Sequence, residues 1–353
     1  MGNRLTLGSN FQGRTGRETI ISYTHILQRF IKILKHPLLR ISVSLLILAF
    51  LLYHLPLSEL WGALKSISLP IWLIALGLFL VGHTFGTIKW RLLVNTKSSY
   101  LPFLIALRCH FAGLFANLFL PSLAGGDVVR AGLAIRYLKQ KGNVILGGIL
   151  DRFLDTSALG IIILIGAYFA PQAFTDTDRN ILRVVFVILS LMALSGGIFL
   201  LLPTFTWLPS SLKKLLKRYQ ELVKELLKTP WKAIISLLVA IIMQTTFVGI
   251  NAYLGMQCGI DIPFVVWILV WPLAKLSALL PISMGGLGVR EAALAALLTR
   301  LDIPIALAVG VGLLWETILV SGGILGGIFY LVMNQVDTPF PSLSTLRGTP
   351  KEL

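Results

Sequence analysis

The chain has 353 residues, of which 56% are hydrophobic and 13% charged, and its mean hydropathy is +0.84. Soluble globular domains run at about 45–50% apolar and about 25% charged residues, so a soluble two-domain enzyme is excluded, and so is a disordered chain. Lys and Arg number 31 against 15 Asp and Glu, and the meaning of that excess depends on where it lies.

It lies in blocks beside apolar runs. Residues 1–36 carry Arg4, Arg14, Arg17, Arg29, Lys32 and Lys35 against Glu18, and are read as a basic cytoplasmic tail. No small-residue cleavage site follows the first apolar run, which ends at Tyr53 and His54, so no removable signal is expected. A membrane domain is expected over 37–333, with 334–353 as a C-terminal tail. A hydrocarbon core of about 30 Å needs about 20 apolar residues per helix. Runs of that kind fall at 38–55, 69–89, 143–170, 181–203, 232–256 and 304–332.

Lys89, Arg91 and Lys97 follow the second run, and seven lysines and arginines lie between 207 and 232, whereas the 171–180 connection holds Asp176 and Asp178. Basic loops stay on the cytoplasmic side, so the N-terminus is expected inside, in a cell inner (plasma) membrane. Residues 207–229 alternate leucines and lysines at helical spacing and read as an amphipathic interfacial helix facing the anionic cytoplasmic leaflet. Basic residues that flank hydrophobic runs do not build a nucleic-acid surface, and no nucleic-acid partner is expected.

Two regions do not read as simple spans. In 100–141 an apolar run meets Pro121-Ser-Leu-Ala-Gly125-Gly126 and continues as a shorter helix; in 263–301 another meets Pro281-Ile-Ser-Met-Gly285-Gly286 and does the same. Leu120 to Arg130 and Leu280 to Arg290 align at one offset of 160 with Leu, Pro, both Gly, Val and Arg in common. The fold class expected is therefore all-α: a polytopic transmembrane bundle with two re-entrant or broken-helix hairpins in inverted repeats, entered from opposite membrane faces. A helix is expected to begin after each Gly-Gly.

Broken backbone at membrane depth survives only against protein or water, because lipid offers no hydrogen bonds. Pro121 and Pro281 end the first arm of each hairpin, and Gly125, Gly126, Gly285 and Gly286 permit close approach. A helix N-terminus carrying Arg130 or Arg290 suits a phosphate or carboxylate, which makes both arginines candidate substrate contacts together with Asp127 and Glu291. The competing reading pairs each arginine with Asp127 or Glu291 and gives it the work of holding the hairpin. Asp151, Arg152 and Asp155 form a charged turn in an apolar helix, with Arg152 in reach of Asp155. With Lys275 and Glu316 they make a charge network that is either functional or structural. The five histidines show no metal spacing, Cys109 and Cys258 sit in apolar stretches, and no nucleotide or hydrolase motif is present, so no catalytic residue, metal or cofactor is expected.

On Leu120-Pro121 to Arg130, Asp151-Arg152 with Asp155, and Leu280-Pro281 to Gly288-Val289-Arg290-Glu291, the chain resembles the lysylphosphatidylglycerol synthase transmembrane-region family, also described as flippase-like, over about 38–332. The resemblance implies a relative of the membrane half of multiple peptide resistance factors, which moves aminoacylated phosphatidylglycerol between leaflets. The synthase activity in the family name belongs to a separate cytosolic domain, so it is not expected here. Many members of that family carry Arg where this chain has Glu316, a departure that bears on the charge of the substrate. The function expected is translocation of a polar-headed, anionic or glycosylated lipid. The alternatives are a membrane-embedded enzyme of lipid or isoprenoid-linked glycan metabolism, or a non-catalytic partner of a lipid synthase. Candidate partners are a membrane lipid, a lipid- or glycan-synthesising enzyme, and a second copy of the chain.

Overall fold

The computed structural model describes residues 56–96, 100–120, 125–138, 141–169, 228–278 and 285–336, Ser283, and single residues within 42–53 and 210–224. The predicted tails, the 181–203 run, and Pro121 and Pro281 lie outside the described residues. The described chain is helical, with α1 at Leu57–Lys65, α2 at Leu69–Val94, α3 at Phe103–Ala116, α4 at Gly125–Ala134 and α5 at Lys141–Phe169. After the 170–229 connection come α6 at Pro230–Gln257, α7 at Phe264–Ser277, α8 at Val289–Leu298, a 3-10 turn at Thr299–Leu301 and α9 at Ile305–Val336.

The repeat seen in eleven residues extends over four helices. A long helix, a 14-residue helix, a 10-residue helix and another long helix follow in that order in α2–α5 and again in α6–α9. Pro102 and Pro263 cap the two 14-residue helices, and each is followed by Phe. Packing between the halves is reciprocal: α3 lies on α9, α7 lies on α5, and α2 crosses α6.

Glycines set how closely these helices approach. A Cβ on Gly82 would stand 2.7 Å from the Phe247 ring, and one on Gly86 would stand 3.1 Å from Met243 Sδ. Positions 82 and 243, and likewise 86 and 247, are 161 apart, so each contact is the repeat-mate of the other. The α2–α6 crossing is therefore the place where the halves exchange.

The core joins both halves. Trp271 and Trp315 rings meet at 5.0 Å, Phe79 and Trp315 at 5.5 Å, and Phe247 and Trp315 at 5.5 Å, which ties α2, α6, α7 and α9 together. A second cluster of Trp90, Val94, Leu101, Ala106, Ala134 and Val144 closes one end of the first half. Outward faces are equally apolar: Leu73, Ile74, Leu78 and Val81 on α2, Ile234, Leu238 and Ile242 on α6, and Ile324, Ile328 and Leu331 on α9 are exposed. Water would penalise such a surface and a bilayer would not. Helices α2, α6 and α9 are long and apolar enough to cross a membrane.

Two local expectations need correction. The run predicted to end at residue 89 continues as helix to Val94, so Lys89 is a helical and buried residue and not a loop charge. Its ammonium is neutralised by carboxylates of α5, which removes the need to reach water. The helix expected after Gly125-Gly126 begins at Gly125 itself. There α4 approaches α3 backbone to backbone: a Cβ on Gly126 would sit 2.2 Å from Gly113 O. In the second hairpin α8 begins at Val289, after Gly285-Gly286 as expected, and Gly285, Gly286 and Gly288, with φ of 62°, 86° and 81°, form the turn before it. Within 207–229, Leu216 is buried while Lys217, Glu221 and Lys224 are exposed, the pattern of an amphipathic helix.

Candidate functional site

Helix α5 carries Asp151, Arg152 and Asp155. Residues four apart share a helix face, so Asp151 and Asp155 both turn towards α2, while Arg152 is rotated towards α4. Lys89 Nζ lies 3.0 Å from Asp151 Oδ1 and pairs with Asp155 as well. Asp151 Oδ2 accepts from Arg130 Nη2 at 3.0 Å, Arg130 Nη2 stands 3.2 Å from Asp127 Oδ1, and Asp127 binds Arg152. The result is one alternating chain, Asp155–Lys89–Asp151–Arg130–Asp127–Arg152, with three charges of each sign. The Lys89 side chain is 1% exposed and that of Asp151 4%, so mutual pairing is what makes their burial tolerable. Among the described residues Arg152 pairs with Asp127, while Asp155, its predicted partner, pairs with Lys89.

Arg130 also sets a proton order. Its guanidinium only donates, so His110 Nδ1, at 3.3 Å from Nη1, accepts. The ring proton of His110 then sits on Nε2 and is donated to His83 Nδ1 at 3.2 Å. Both rings are neutral in this arrangement, and His83 keeps Nε2–H as a donor. The guanidinium stacks 4.5 Å from the Trp90 ring, and its Nε has no acceptor among the described residues.

These groups line a cavity of about 170 Å³. A water occupies about 30 Å³ in the liquid, so the space suits a polar group of several heavy atoms. Its wall includes Lys89, Arg130, Asp127, Asp151, Arg152 and Asp155 from the first half and Met243, Gln244, Phe247 and Lys275 from the second. The lining respects the repeat: His83 and Gln244, Gly86 and Phe247, and Leu114 and Lys275 are three pairs 161 apart, and all six line it. The cavity therefore sits at the meeting of the two halves.

The candidate residues divide between two places. Gly126, Asp127, Arg130, Asp151, Arg152, Asp155 and Lys275 are at the cavity; Gly125 opens α4 beside it. Arg290, Glu291 and Glu316 form a second cluster, and neither they nor Gly285 and Gly286 are among the cavity's lining residues. Arg290 Nη2 lies 2.6 Å from Glu291 Oε1 and 2.5 Å from Glu316 Oε2. Glu291 is fully buried and also accepts the Gly288 N–H at 2.6 Å, so it caps α8 and fixes the turn in one stroke. Arg108 donates to Asn334 at 2.8 Å and ties α3 to α9.

Sequence reasoning missed Lys89, Gln244 and Asn117. Lys89 read as a boundary charge because Arg91 follows it; the signal against that was the pair Asp151 and Asp155, which needed two cations and had one nearby. Asn117 Oδ1 accepts the Gly126 N–H at 2.7 Å and holds the hairpin's mouth.

Among the described residues no group of three or more His, Cys, Asp or Glu is placed to hold a metal ion. No curated protein and no solved structure matches the chain. The family model described as "Lysylphosphatidylglycerol synthase TM region" matches residues 38–327, which include both hairpins, the charged helix α5 and the α2–α6 crossing. The chain is a helical membrane protein that belongs to the lysylphosphatidylglycerol synthase transmembrane-region family, a family of lipid metabolism or transport.

Proposed function

We propose that the protein moves a polar-headed lipid between leaflets, with the head group in the cavity and the acyl chains against the apolar outer faces. The observation that carries this reading is a charged cavity at the junction of two repeated four-helix units whose outward surfaces are apolar. Arg130 is the head-group contact, since it lines the cavity between Asp127 and Asp151. Arg290, saturated by Glu291 and Glu316, serves to hold the second hairpin. The two units are inverted in the membrane, so the same fold offers the cavity to either face in turn. The protein works in the inner membrane with its N-terminus cytoplasmic, makes no covalent change to the lipid, and its basic segments bind the anionic leaflet. A lipid-synthesising enzyme supplies the substrate.

The test is reconstitution in liposomes with head-group-labelled lipids and an impermeant quencher. Wild-type protein is expected to expose the inner-leaflet label to the quencher, and Arg130→Gln to slow this at least tenfold while remaining folded. Quenching no faster than in protein-free liposomes, for anionic, zwitterionic and glycosylated lipids alike, would overturn the reading.

A further inference from the structure

The six charges of the Asp155 to Arg152 chain cancel, but the cavity has a seventh. Lys275, in the last turn of α7, lines it. Its ammonium donates to Gln244 Oε1 at 2.7 Å and stands 4.9 Å from the Phe247 ring centroid. Among the described residues it forms no ion pair. An amide oxygen and an aromatic face orient a cation, yet neither neutralises it. Of the three ammonium hydrogens, one is used. Beside it at the wall, the proton order through His110 leaves the His83 Nε2–H as a donor.

A charge left unpaired at membrane depth is expensive, and a cavity whose described lining carries one surplus positive charge calls for one negative charge in its occupant. We propose that Lys275, oriented by Gln244 and Phe247, is the counter-charge for a single phosphate-type monoanion in the ligand, and that it selects anionic over zwitterionic head groups. A phosphodiester without an attached cation brings the cavity to neutrality; one that carries its own ammonium leaves Lys275 uncompensated. The position is specific to the second half, because its repeat-mate in the first is Leu114. This inference rests on the lipid reading above for the source of the phosphate, but not for the anion site itself.

The experiment is native mass spectrometry of purified protein in detergent, wild type beside Lys275→Gln, Lys275→Arg and Gln244→Leu. Each is offered phosphatidylglycerol, phosphatidylcholine, a neutral glucosyl diglyceride, or inorganic phosphate, with thermal melting to establish folding. Wild type is expected to retain phosphatidylglycerol at least tenfold over phosphatidylcholine and the glycolipid. Lys275→Gln loses that preference, Lys275→Arg keeps it, and Gln244→Leu weakens it several-fold. Inorganic phosphate bound in a Lys275-dependent way, with no lipid preference, would support the anion site and reassign its occupant to a free anion. Unchanged phosphatidylglycerol binding in folded Lys275→Gln would overturn the proposal. Should that variant not fold, wild type binding both phospholipids equally, or Lys275→Arg or Gln244→Leu that folds but alters neutral and anionic binding alike, would overturn it as well. Lipid movement that persists while Lys275 proves indifferent would leave the translocation reading intact; Lys275-dependent binding without movement would do the reverse.

Discussion

Arg130 and Arg290 stand 160 residues apart on two 10-residue helices, Arg290 in the first turn of α8 and Arg130 midway along α4, yet Arg130 lines the cavity while Arg290 is enclosed by Glu291 and Glu316. Each finds an acid on the long helix that follows, Asp151 on α5 and Glu316 on α9. The halves share a plan, an arginine pinned to the next long helix, and differ in what surrounds it. Glu291 replaces the cavity in the second half: its carboxylate fills the space beside the arginine and caps the helix.

That difference predicts unequal costs. Arg290→Gln leaves Glu291 buried without its cation, and breaking a buried pair in this way costs about 3–5 kcal/mol. Glu316→Gln should cost under about 2 kcal/mol, because the Glu316 side chain is 22% exposed and Arg290 keeps Glu291. Thermal unfolding of the purified variants reads the order. Equal losses would mean that Glu291 does not hold Arg290.

The alternating chain in the first half makes a second prediction through charge order. Lys89→Met should destabilise by about 3–5 kcal/mol, since Asp151 and Asp155 then face each other with a shared deficit. Lys89→Met combined with Asp155→Leu leaves Asp151–Arg130–Asp127–Arg152, two charges of each sign, and should recover at least about half of the loss. A double-mutant cycle from denaturant or thermal melts measures that coupling. Additive losses would show that Lys89 and Asp155 are neighbours without energetic dependence.

Close backbone approach supplies a third. A Cβ on Gly126 would lie 2.2 Å from Gly113 O and 2.6 Å from Asn117 Oδ1, while one on Gly148 meets nothing within 4 Å. Gly126→Ala must push α4 away from α3 and break the Asn117 bond to the Gly126 N–H, at a cost of about 2–4 kcal/mol. Gly148→Ala, at a half-buried position inside a helix with open space for the methyl, should be neutral or stabilise by up to about 1 kcal/mol. Fluorescence-detected size exclusion after graded heating separates the two, and equal behaviour would count against the glycine-to-glycine contact.

Much of this fold was legible in the sequence because membrane helices declare themselves by length and apolarity, and because Pro and Gly-Gly mark breaks that lipid would not tolerate unaided. The repeat was visible at Leu120–Arg130 and Leu280–Arg290, where turn geometry restrains residue choice. It was not visible along α2 and α6: the repeat-mates Gly82 and Met243, and Gly86 and Phe247, differ in size, because the gap at Gly82 is filled by Phe247 and the gap at Gly86 by Met243, which matches volume across the contact and not identity along the chain. The pairs Arg130–Asp127 and Arg290–Glu291 were legible from their spacing, whereas Lys89 and the partner of Arg152 were not. Lys89 and Arg152 are each in plausible reach of several acids, and only the rotation of α5 against α2 and α4 decides which. Gln244 carries no signal by itself; its role depends on Lys275, which arrives from another helix.

The orientation of the two halves can be read by thiol labelling. Arg136 follows α4 in the first hairpin and Arg300 follows α8 in the second, and both are exposed. If the span predicted over 181–203 crosses once between the halves, these two turns emerge on opposite membrane faces. The native background is favourable, since Cys109 and Cys258 are both buried. Arg136→Cys and Arg300→Cys, each introduced singly, should therefore react differently with an impermeant maleimide applied to intact cells: Arg300→Cys is labelled from outside, and Arg136→Cys reacts only after the membrane is opened. Reaction of both from one side would mean that the two hairpins enter from the same leaflet. Alternating exposure of a shared cavity would then lose its structural basis, although the anion site at Lys275 would not.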